Sequence, residues 1–465
     1  MDGVDHYSSI RAIGTAFRSG ATSPTKLTAA VLERITALNP GLRAYLTVTG
    51  ELAMAQAEAA EAELASGRDR GPLHGVPIAL KDLAWTKGVP TSAGMAIHRE
   101  FVPDEDATLA ARLATAGAVL LGKLHMTEGA TLEHHPELPE PVNPWRPDLW
   151  TGVSSSGSGA ATAAGLCYAS LGSDTGGSIR FPSASNGLTG VKPTWGRVSR
   201  FGICDLAPSF DTVGPMARSA ADCAAFLSAI AGFDAKDMTS LRAPVPDYVG
   251  LIDGVSGLKG VKIGVDWDYI GAGVTPEVLA ATERAAKCFA DLGAEIVEIA
   301  FPDPTPMFAH LLDAIEAELA HVHLPTYPSQ ANRYGPALRD GLERGRNASA
   351  LAVALGTIER DKFKGRLREV FSGVDAVLMA VLKQGTPTWD EVRAQVSDDM
   401  IGFMRFTALF NAAGSPTVTA PCGFTADGRP IGFQLVGPHL SEAKLLAAVN
   451  AYQQATDFHL QRPFA

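Results

Sequence analysis

Residues 151–199 are unusually rich in glycine and serine, and two of these serines could act as nucleophiles. Glycine is favoured where the backbone takes a positive φ or passes close to a ligand, so this density indicates a catalytic loop rather than ordinary helices and strands. Ser154 lies in Gly-Val-Ser-Ser-Ser, and Ser178 follows Asp-Thr-Gly-Gly. Consecutive N–H groups before Ser178 could point into one concavity beside its hydroxyl, as an oxyanion hole requires.

A serine hydroxyl needs a neighbouring base to attack a carbonyl at neutral pH. Neither serine lies in a G-x-S-x-G elbow and no histidine occurs between His135 and His310, so a Ser-His-Asp triad is poorly supported. A buried, neutral lysine can replace histidine, and Lys81 follows the apolar run 76–80, which predicts a short buried strand. Taken alone, Lys81 fits a surface lysine at a strand end better than a base, and only its pairing with the two serines favours the base.

These residues resemble the amidase signature hydrolases, a family of serine amidases. The spacing between Ser154 and Ser178 matches the family pattern. The resemblance is weakest at residues 233–260 and 301–410, where such enzymes diverge and substrates are chosen. It is carried by Lys81 at its strand end and by residues 143–145, 152–158, 172–197, 209–224 and 414–437.

The resemblance implies a Ser-cisSer-Lys triad. Ser178 would attack the carbonyl, Ser154 would relay its proton through a hydroxyl held by a cis peptide after Val153, and Lys81 would be the terminal base. The implied oxyanion-hole donors are the backbone N–H groups of Thr175, Gly176, Gly177 and Ser178, and the implied supporting side chains are Ser155, Asp174 and Arg180.

The sequence departs from the family pattern in two places. Val153 and Ser156 occupy positions that usually hold glycine, and Ser156 would be strained if that glycine had a positive φ. The run Leu-Glu-His-His-Pro at 132–136 replaces the motif of the transamidating branch, which releases ammonia from glutamine. This second departure favours a stand-alone hydrolase over a partner-dependent glutamine amidotransferase-like subunit, which remains an alternative.

Two further alternatives are a metal-dependent hydrolase and a phosphate-binding loop. His125, His134 and His135 lie near two glutamates, but no H-E-x-x-H helix is present and adjacent histidines seldom chelate one ion. Residues 152–158 lack both the G-K-[ST] ending and the G-x-G-x-x-G spacing of nucleotide loops. We therefore predict no metal and no cofactor.

The composition excludes several classes of protein. The 465 residues carry a formal net charge of −11 without a basic block, which disfavours binding to nucleic acid or anionic membranes. The N-terminus lacks a signal-peptide pattern and no apolar run reaches the roughly 18 residues of a membrane span, so we expect a cytoplasmic monomer or homodimer. The five scattered cysteines indicate neither disulfides nor a thiolate metal site.

Helical and strand patterns alternate along the chain, which predicts an α/β fold. We expect a single large domain, residues 1–465, with a mixed, mostly parallel central sheet covered by helices. It would comprise a helical part at about 1–68, a catalytic core at about 71–230 and a variable substrate-selecting segment at about 301–410. The predicted elements are helices at 24–38, 51–64, 107–116 and 276–292, a helix from 441, strands at 76–80, 118–122, 260–265 and 294–299, and a hairpin around 427–428.

These observations predict a hydrolase that cleaves the C–N bond of small, largely uncharged amides through an acyl-enzyme on Ser178. N-aryl amides, carbamates (urethanes) and esters are possible further substrates, and substrate would be the only small-molecule partner. Four aromatic residues of the variable segment either line an apolar pocket or pack in the core. They are Phe308, Tyr327, Tyr334 and Phe371.

Overall fold

The structure is a computed structural model that describes residues 5–255 and 257–464. Its strands are β1 (Tyr45–Val48), β2 (Pro77–Lys81), β3 (Val119–Leu124), β4 (Ala169–Asp174), β5 (Thr189–Lys192), β6 (Thr212–Ala217), β7 (Lys262–Val265), β8 (Glu295–Glu298), β9 (Ala376–Ala380), β10 (Thr417–Phe424) and β11 (Pro430–Val436).

The helices lie before, between and after these strands along the chain. They are α1 (Ile10–Ser19), α2 (Pro24–Leu42), α3 (Gly50–Ala65), α4 (Thr108–Thr115), α5 (Ser156–Ala163), α6 (Arg180–Ser185), α7 (Ala220–Ile230), α8 (Tyr248–Asp253), α9 (Trp267–Gly271), α10 (Pro276–Asp291), α11 (Thr305–Val322), α12 (Pro336–Asn347), α13 (Ala350–Gly373), α14 (Trp389–Phe403), α15 (Ala408–Ala413) and α16 (Glu442–Ala455).

All of these strands belong to one sheet, in the order β1-β3-β2-β4-β6-β5-β10-β11-β9-β7-β8. The α/β class and the mixed sheet are confirmed. The expectation of a mostly parallel sheet is wrong, because six of the ten strand pairings are antiparallel and four are parallel. Strands β4, β6, β5, β10, β11 and β9 form a continuous antiparallel centre, and the parallel pairs lie toward the two ends of the sheet.

Most of the predicted elements are present with shifted ends. The β7-α10-β8 unit is parallel as expected, and β10 and β11 form the expected antiparallel hairpin. Helix α2 begins at the predicted cap, where the Ser23 hydroxyl accepts a hydrogen bond from Lys26 N at 3.3 Å. It continues to Leu42 instead of closing at residues 39–41, since Pro40 is accommodated in the last turn.

The glycine- and serine-rich segment 151–199 contains α5, β4, α6 and β5, so the prediction that it avoids regular elements is wrong. Its small residues serve close packing instead. A Cβ on Gly157 of α5 would lie 2.5 Å from Ala44 O and from His125 N. Helix α5 can therefore lie directly against the backbone of neighbouring segments only because its first turn carries almost no side-chain volume.

The sheet topology brings the predicted catalytic residues together. Strands β2 and β4 are adjacent and parallel, with Ile78 opposite Ala169. Because the carboxyl ends of parallel neighbours meet at the same edge, Lys81 at the end of β2 lies beside Ser173 and Asp174 at the end of β4. In the part of the chain that the structure describes, no helix is long and apolar enough to cross a membrane.

Candidate active site

Lys81 lies at the centre of a cluster of serine hydroxyls. Its side chain is fully buried. Its Nζ atom hydrogen-bonds to Ser154 Oγ at 2.6 Å, Ser173 Oγ at 2.8 Å and Ser155 Oγ at 3.0 Å. The Ser155 hydroxyl donates to Ser173 O at 3.2 Å, so Ser155 accepts from the lysine. If the two N–H groups of a neutral amine serve Ser155 and Ser173, its lone pair remains for the Ser154 proton.

The environment of Lys81 lowers the pKa of its amine toward neutral pH. Burial lowers the pKa of Lys81 to about 7, because the ammonium form loses its hydration. The carboxylates of Asp174 and Asp211 act in the opposite direction and raise the pKa, but they do not offset burial. A large fraction of Lys81 is therefore neutral at physiological pH and able to take a proton.

Ser173 is a contact of the base that the sequence did not reveal. It is the penultimate residue of β4, and its N–H donates to Ser155 Oγ at 3.2 Å. Ser155 and Ser173 both bond to the Lys81 amine, and together they orient the amine toward Ser154. Because Ser155 is occupied in this way, its side chain does not cap α5. The signal that could have found Ser173 is its position on the strand parallel to the Lys81 strand.

Ser178 lies on the wall of a cavity of about 330 Å³ and is 8% exposed. Val153 lines the same cavity, and the peptide bond that follows it is cis, as the resemblance implied. Ser154 itself is fully buried behind this wall. Within residues 5–255 and 257–464, no hydrogen bond joins Ser178 Oγ to Ser154 Oγ, so the structure joins Lys81 to Ser154 but does not close the second link. Catalytic hydrogen bonds of this kind often tighten only when substrate is bound.

Three of the four predicted oxyanion-hole donors are free. Within the described ranges, the backbone N–H groups of Thr175, Gly176 and Ser178 have no hydrogen-bond acceptor, and all three residues line the cavity. Gly177 is a correction, because its N–H donates to Asp174 Oδ1 at 2.8 Å. Gly177 instead shapes the turn, with φ at +143° and room for no Cβ beside Phe181.

Asp174 and Arg180 form a buried ion pair beneath this turn, at 2.8 Å between Arg180 Nη2 and Asp174 Oδ1. The carboxylate also accepts from Gly177 N and from Ile179 N at 3.0 Å. Burial alone would raise the pKa of Asp174, but the Arg180 guanidinium outweighs it and holds the pKa well below its ordinary value. Two of the three predicted supporting side chains, Asp174 and Arg180, therefore anchor the turn that carries Ser178.

Arg180 also reaches elements far away in the sequence. Its Nη1 donates to Thr407 O at 2.8 Å and to Gln434 Oε1 at 3.3 Å, and its Nη2 donates to Asn411 Oδ1. Asn411 Nδ2 in turn donates to Asp174 Oδ1 at 2.8 Å. The turn is thus fixed to α15 and β11, which no local motif could have indicated.

Asp211 is a second buried carboxyl near the base. It accepts from Leu206 N at 2.8 Å, from Ala207 N at 3.0 Å and from the Thr175 hydroxyl. Burial raises the pKa of Asp211 to about 7, and the nearby Asp205 carboxylate adds to this effect. Asp211 holds the Thr175 end of the turn, opposite the end that Asp174 and Arg180 hold.

The cavity in front of Ser178 is mainly aliphatic. Helices α11, α12 and α14 and the residues just after α14, all within the variable segment 301–410, supply about half of its lining. The charged side chains are partly exposed, and Arg344 pairs with Glu316 at 2.7 Å. The apolar lining residues are Leu132, Val153, Phe181, Leu206, Leu312, Ile315, Leu319, Val396, Met400 and Met404.

Of the two alternatives for the four aromatic residues of segment 301–410, the structure does not support the pocket. None of Phe308, Tyr327, Tyr334 and Phe371 lines the Ser178 cavity. Tyr327 and Tyr334 are buried and pack against each other with ring centroids 5.5 Å apart, and Phe371 packs against the hydrophobic core. Phe308 lines a separate cleft. The cavity is lined instead by aliphatic side chains and by Phe181.

The histidines of the metal alternative do not converge. His125 and His134 pack edge to face at 5.1 Å, and burial lowers the pKa of His125 to about 4. His135 instead accepts a hydrogen bond from Glu137 N at 3.2 Å, and Glu128 accepts from Gly335 N at 2.9 Å. Among the described residues, no group of three or more His, Cys, Asp or Glu side chains could hold a metal ion.

Ser156 shows why its departure from the family pattern is tolerated. It is the first residue of α5 and does not have a positive φ, so the anticipated strain is absent. Its Oγ lies 3.0 Å from Nε2 of His134, a residue of the other departing segment, 132–136. The two departures therefore contact each other.

Comparison with known proteins identifies the family of this chain. The sequence model of the Amidase family matches residues 26–446, and the chain belongs to that family of amide hydrolases. It is 43% identical over 453 residues to the putative amidase AmiD of Mycobacterium tuberculosis (strain ATCC 25618 / H37Rv), covering 97% of this chain and 94% of that protein. The resemblance to amidase signature enzymes is thus confirmed.

Two further relatives carry the names of different activities. A glutamyl-tRNA(Gln) amidotransferase subunit of Roseiflexus sp. (strain RS-1) is 40% identical over 476 residues, covering 96% of each chain. The solved structure of native peptide amidase from Stenotrophomonas maltophilia superposes with a TM-score of 0.80 at 31% identity, covering 97% of each chain. Similarity over nearly the whole chain therefore extends to relatives whose names give different activities, and it does not by itself identify a substrate.

Proposed function

We propose that this amidase hydrolyses small, uncharged amides through an acyl-enzyme on Ser178. The observation that carries the proposal is the 2.6 Å contact between Ser154 Oγ and a buried lysine whose pKa is lowered to about 7. Val153, the residue before Ser154, lines the same cavity as Ser178, Thr175 and Gly176, whose N–H groups have no acceptor among the described residues. A base, a relay, a nucleophile and an anion site are the parts that acyl transfer requires.

In the proposed reaction, Ser178 Oγ attacks the carbonyl carbon while its proton passes to Ser154, whose own proton passes to Lys81. The N–H groups of Thr175, Gly176 and Ser178 hold the oxyanion, and such donors are each worth about 3 kcal/mol in other acyl-transfer enzymes. Lys81 then returns the proton through Ser154 to the nitrogen, and the C–N bond breaks. Water attacks the acyl-enzyme by the same relay and releases the acid.

The cavity supports an uncharged, apolar acyl group. A volume of about 330 Å³ is at the lower end of the range typical for small-molecule sites. Among the described residues that line the cavity, Arg344 is the one basic residue, and it is already paired with Glu316, so a carboxylate on the substrate would find no free cation among them. N-aryl amides, carbamates and esters present the same carbonyl to Ser178, and we include them as substrates to be tested.

A partner-dependent role is the second candidate, because an amidotransferase subunit is similar to this chain over 96% of its length. The chain purified alone distinguishes the two. We expect it to hydrolyse p-nitroanilides or N-aryl carbamates unaided, whereas a partner-dependent protein would be idle.

The test of the nucleophile is Ser178→Ala with a matched control, Ser185→Ala. The Ser185 hydroxyl is buried in α6 and has no hydrogen-bond partner in the described chain, so its loss should leave turnover within about twofold. Ser178→Ala should lower kcat by about 10⁴-fold or more. Substantial turnover by a folded Ser178→Ala variant would refute the proposal.

A further inference from the structure

His134 is a buried imidazole with a single hydrogen bond. It is 8% exposed, and its Nε2 lies 3.0 Å from Ser156 Oγ. Its Nδ1 is buried without a partner in the part of the chain that the structure describes. Burial lowers the pKa of His134 well below its ordinary value, with His125 and Arg393 adding to the effect, so the ring is neutral. The bond to Ser156 is therefore the polar contact that fixes this ring.

Ser156 lies where the catalytic serines meet α5. It follows Ser155, whose hydroxyl is engaged with Lys81 and does not cap the helix. The first turn of α5 is instead held from outside, by Gly157 N donating to His125 O at 3.0 Å and by the Ser156 contact with His134. Among the described residues, His134 thus bonds to the structural support of the serine loop and makes no hydrogen bond to Lys81, Ser154 or Ser178.

His134 lies next to two parts of the chain that contribute to the cavity wall. The three residues before it, 131–133, line the cavity wall. Its ring packs edge to face against Trp389 at 5.9 Å, and Trp389 begins the helix that supplies Val396 and Met400 to the same cavity. The Arg393 guanidinium lies over the Trp389 ring, 5.3 Å from its centroid, and Arg393 Nε is 3.8 Å from Glu133 Oε1. Arg393 therefore links the start of α14 to the 131–133 wall.

We propose that His134 is a positioning residue for substrate specificity. By binding Ser156 and packing on Trp389, it fixes the distance between the 131–133 wall, the start of α5 and the start of α14. Loss of the bond leaves the base and relay contacts of Lys81 in place but lets the cavity wall shift. The effect should therefore fall on binding of the acyl group more than on chemistry at Ser178.

The inference rests on the proposed function, because it takes the cavity as the acyl site. Serine-directed fluorophosphonates with an ethyl or a hexyl chain test it, since their inactivation separates binding (KI) from reaction (kinact). His134→Leu and Ser156→Ala remove the hydrogen bond, His134→Gln restores a polar atom near the Nε2 position, and His135→Leu is the control on the neighbouring residue that bonds elsewhere.

We expect His134→Leu and Ser156→Ala each to raise KI for the hexyl probe about fivefold or more, with kinact within about twofold and a smaller effect on the ethyl probe. The double variant should be no worse than either single variant, because both lose one shared bond. His134→Gln should recover most of the KI. If His134→Leu does not fold, Ser156→Ala and His134→Gln carry the test.

Three results would overturn the inference: KI values equal to those of His135→Leu, equal effects on both probes, or additive effects in the double variant. Labelling that persists in Ser178→Ala overturns the proposed function instead. The two failures are therefore distinguishable.

Discussion

At the scale of single residues, the chemistry depends on an amine that is neutral where lysines are usually charged. Desolvation brings the pKa of Lys81 to about 7, and two nearby carboxylates prevent it from falling further. A base with a pKa near the working pH can take the proton from serine and still return it to the leaving nitrogen. The serine hydroxyls around it define which proton it takes.

The pH dependence follows from this pKa. Lys81 must be neutral to act as a base, so kcat/KM should rise as pH increases through about 7 and level off above it. Lys81→Met should lower kcat/KM by about 10³-fold or more and remove this dependence. Initial rates on both proteins, from mildly acidic to mildly alkaline pH, provide the measurement. A flat wild-type profile, or a loss below about tenfold, would exclude Lys81 as the base.

The proposed triad residues could be named from sequence because each stands in a local pattern: a lysine after an apolar run, and two serines in glycine-rich turns. Ser173 and Asp211 carry no such pattern, since their roles depend on which strands are neighbours. The assignment of Gly177 N–H to the oxyanion hole was wrong because the Asp174 side chain folds back onto it, a contact that exists only in the folded turn.

At the scale of elements, the turn between β4 and α6 is held by a fully buried ion pair. Arg180 bonds both to Asp174 and to residues of α15 and β11, so it ties the catalytic turn to the C-terminal half of the sheet. Removing one partner of such a pair leaves a buried charge uncompensated.

Arg180→Met should therefore destabilise the protein by about 3–5 kcal/mol in equilibrium urea unfolding. The matched control is Lys287→Met, which breaks an exposed pair with Asp291 on α10 and should cost less than about 1 kcal/mol. Similar free energies of unfolding for the two variants would show that the buried pair does not anchor the turn.

Helix α14 should determine the size of the acyl group. Met400 lines the Ser178 cavity, whereas the next residue, Ile401, lies outside that lining. Met400→Ala should enlarge the cavity and raise the ratio of kcat/KM for a hexanoyl over an acetyl p-nitroanilide by about tenfold. Ile401→Ala should leave that ratio within about twofold. An unchanged ratio in Met400→Ala would separate α14 from substrate selection.

The elements also show how far sequence patterns reach. Periodicity and capping predicted α2, α10 and the β10–β11 hairpin because those signals are local. The direction of the central strands was mispredicted, since antiparallel pairing of β4, β6, β5 and β10 arises from long connections without a sequence signature. The pocket lining could not be assigned from sequence for the same reason, because the face that α11 presents to the cavity depends on its packing.

At the scale of the whole molecule, one sheet joins the catalytic core to the helices that form the cavity. The proposed base, relay and anion site all come from a single chain, and no cluster of metal-ligating side chains occurs in residues 5–255 and 257–464. Nothing in the proposed reaction requires a second protein or an ion.

The purified chain should therefore retain full amidase activity after exhaustive dialysis against EDTA and without any added protein. Rates before and after dialysis, on the same p-nitroanilide, provide the measurement, and a mock dialysis without chelator is the control. Loss of activity that zinc restores would support the metal alternative.

Every step of the proposed reaction depends on Ser178 carrying the acyl group during turnover. Acid quenching during the first turnover, followed by proteolysis and mass spectrometry, locates that group directly. We expect the acyl mass on the peptide containing Ser178 in the wild type and its absence in Ser178→Ala. An acyl group found on Ser154, or on any residue other than Ser178, would rule out the proposed reaction.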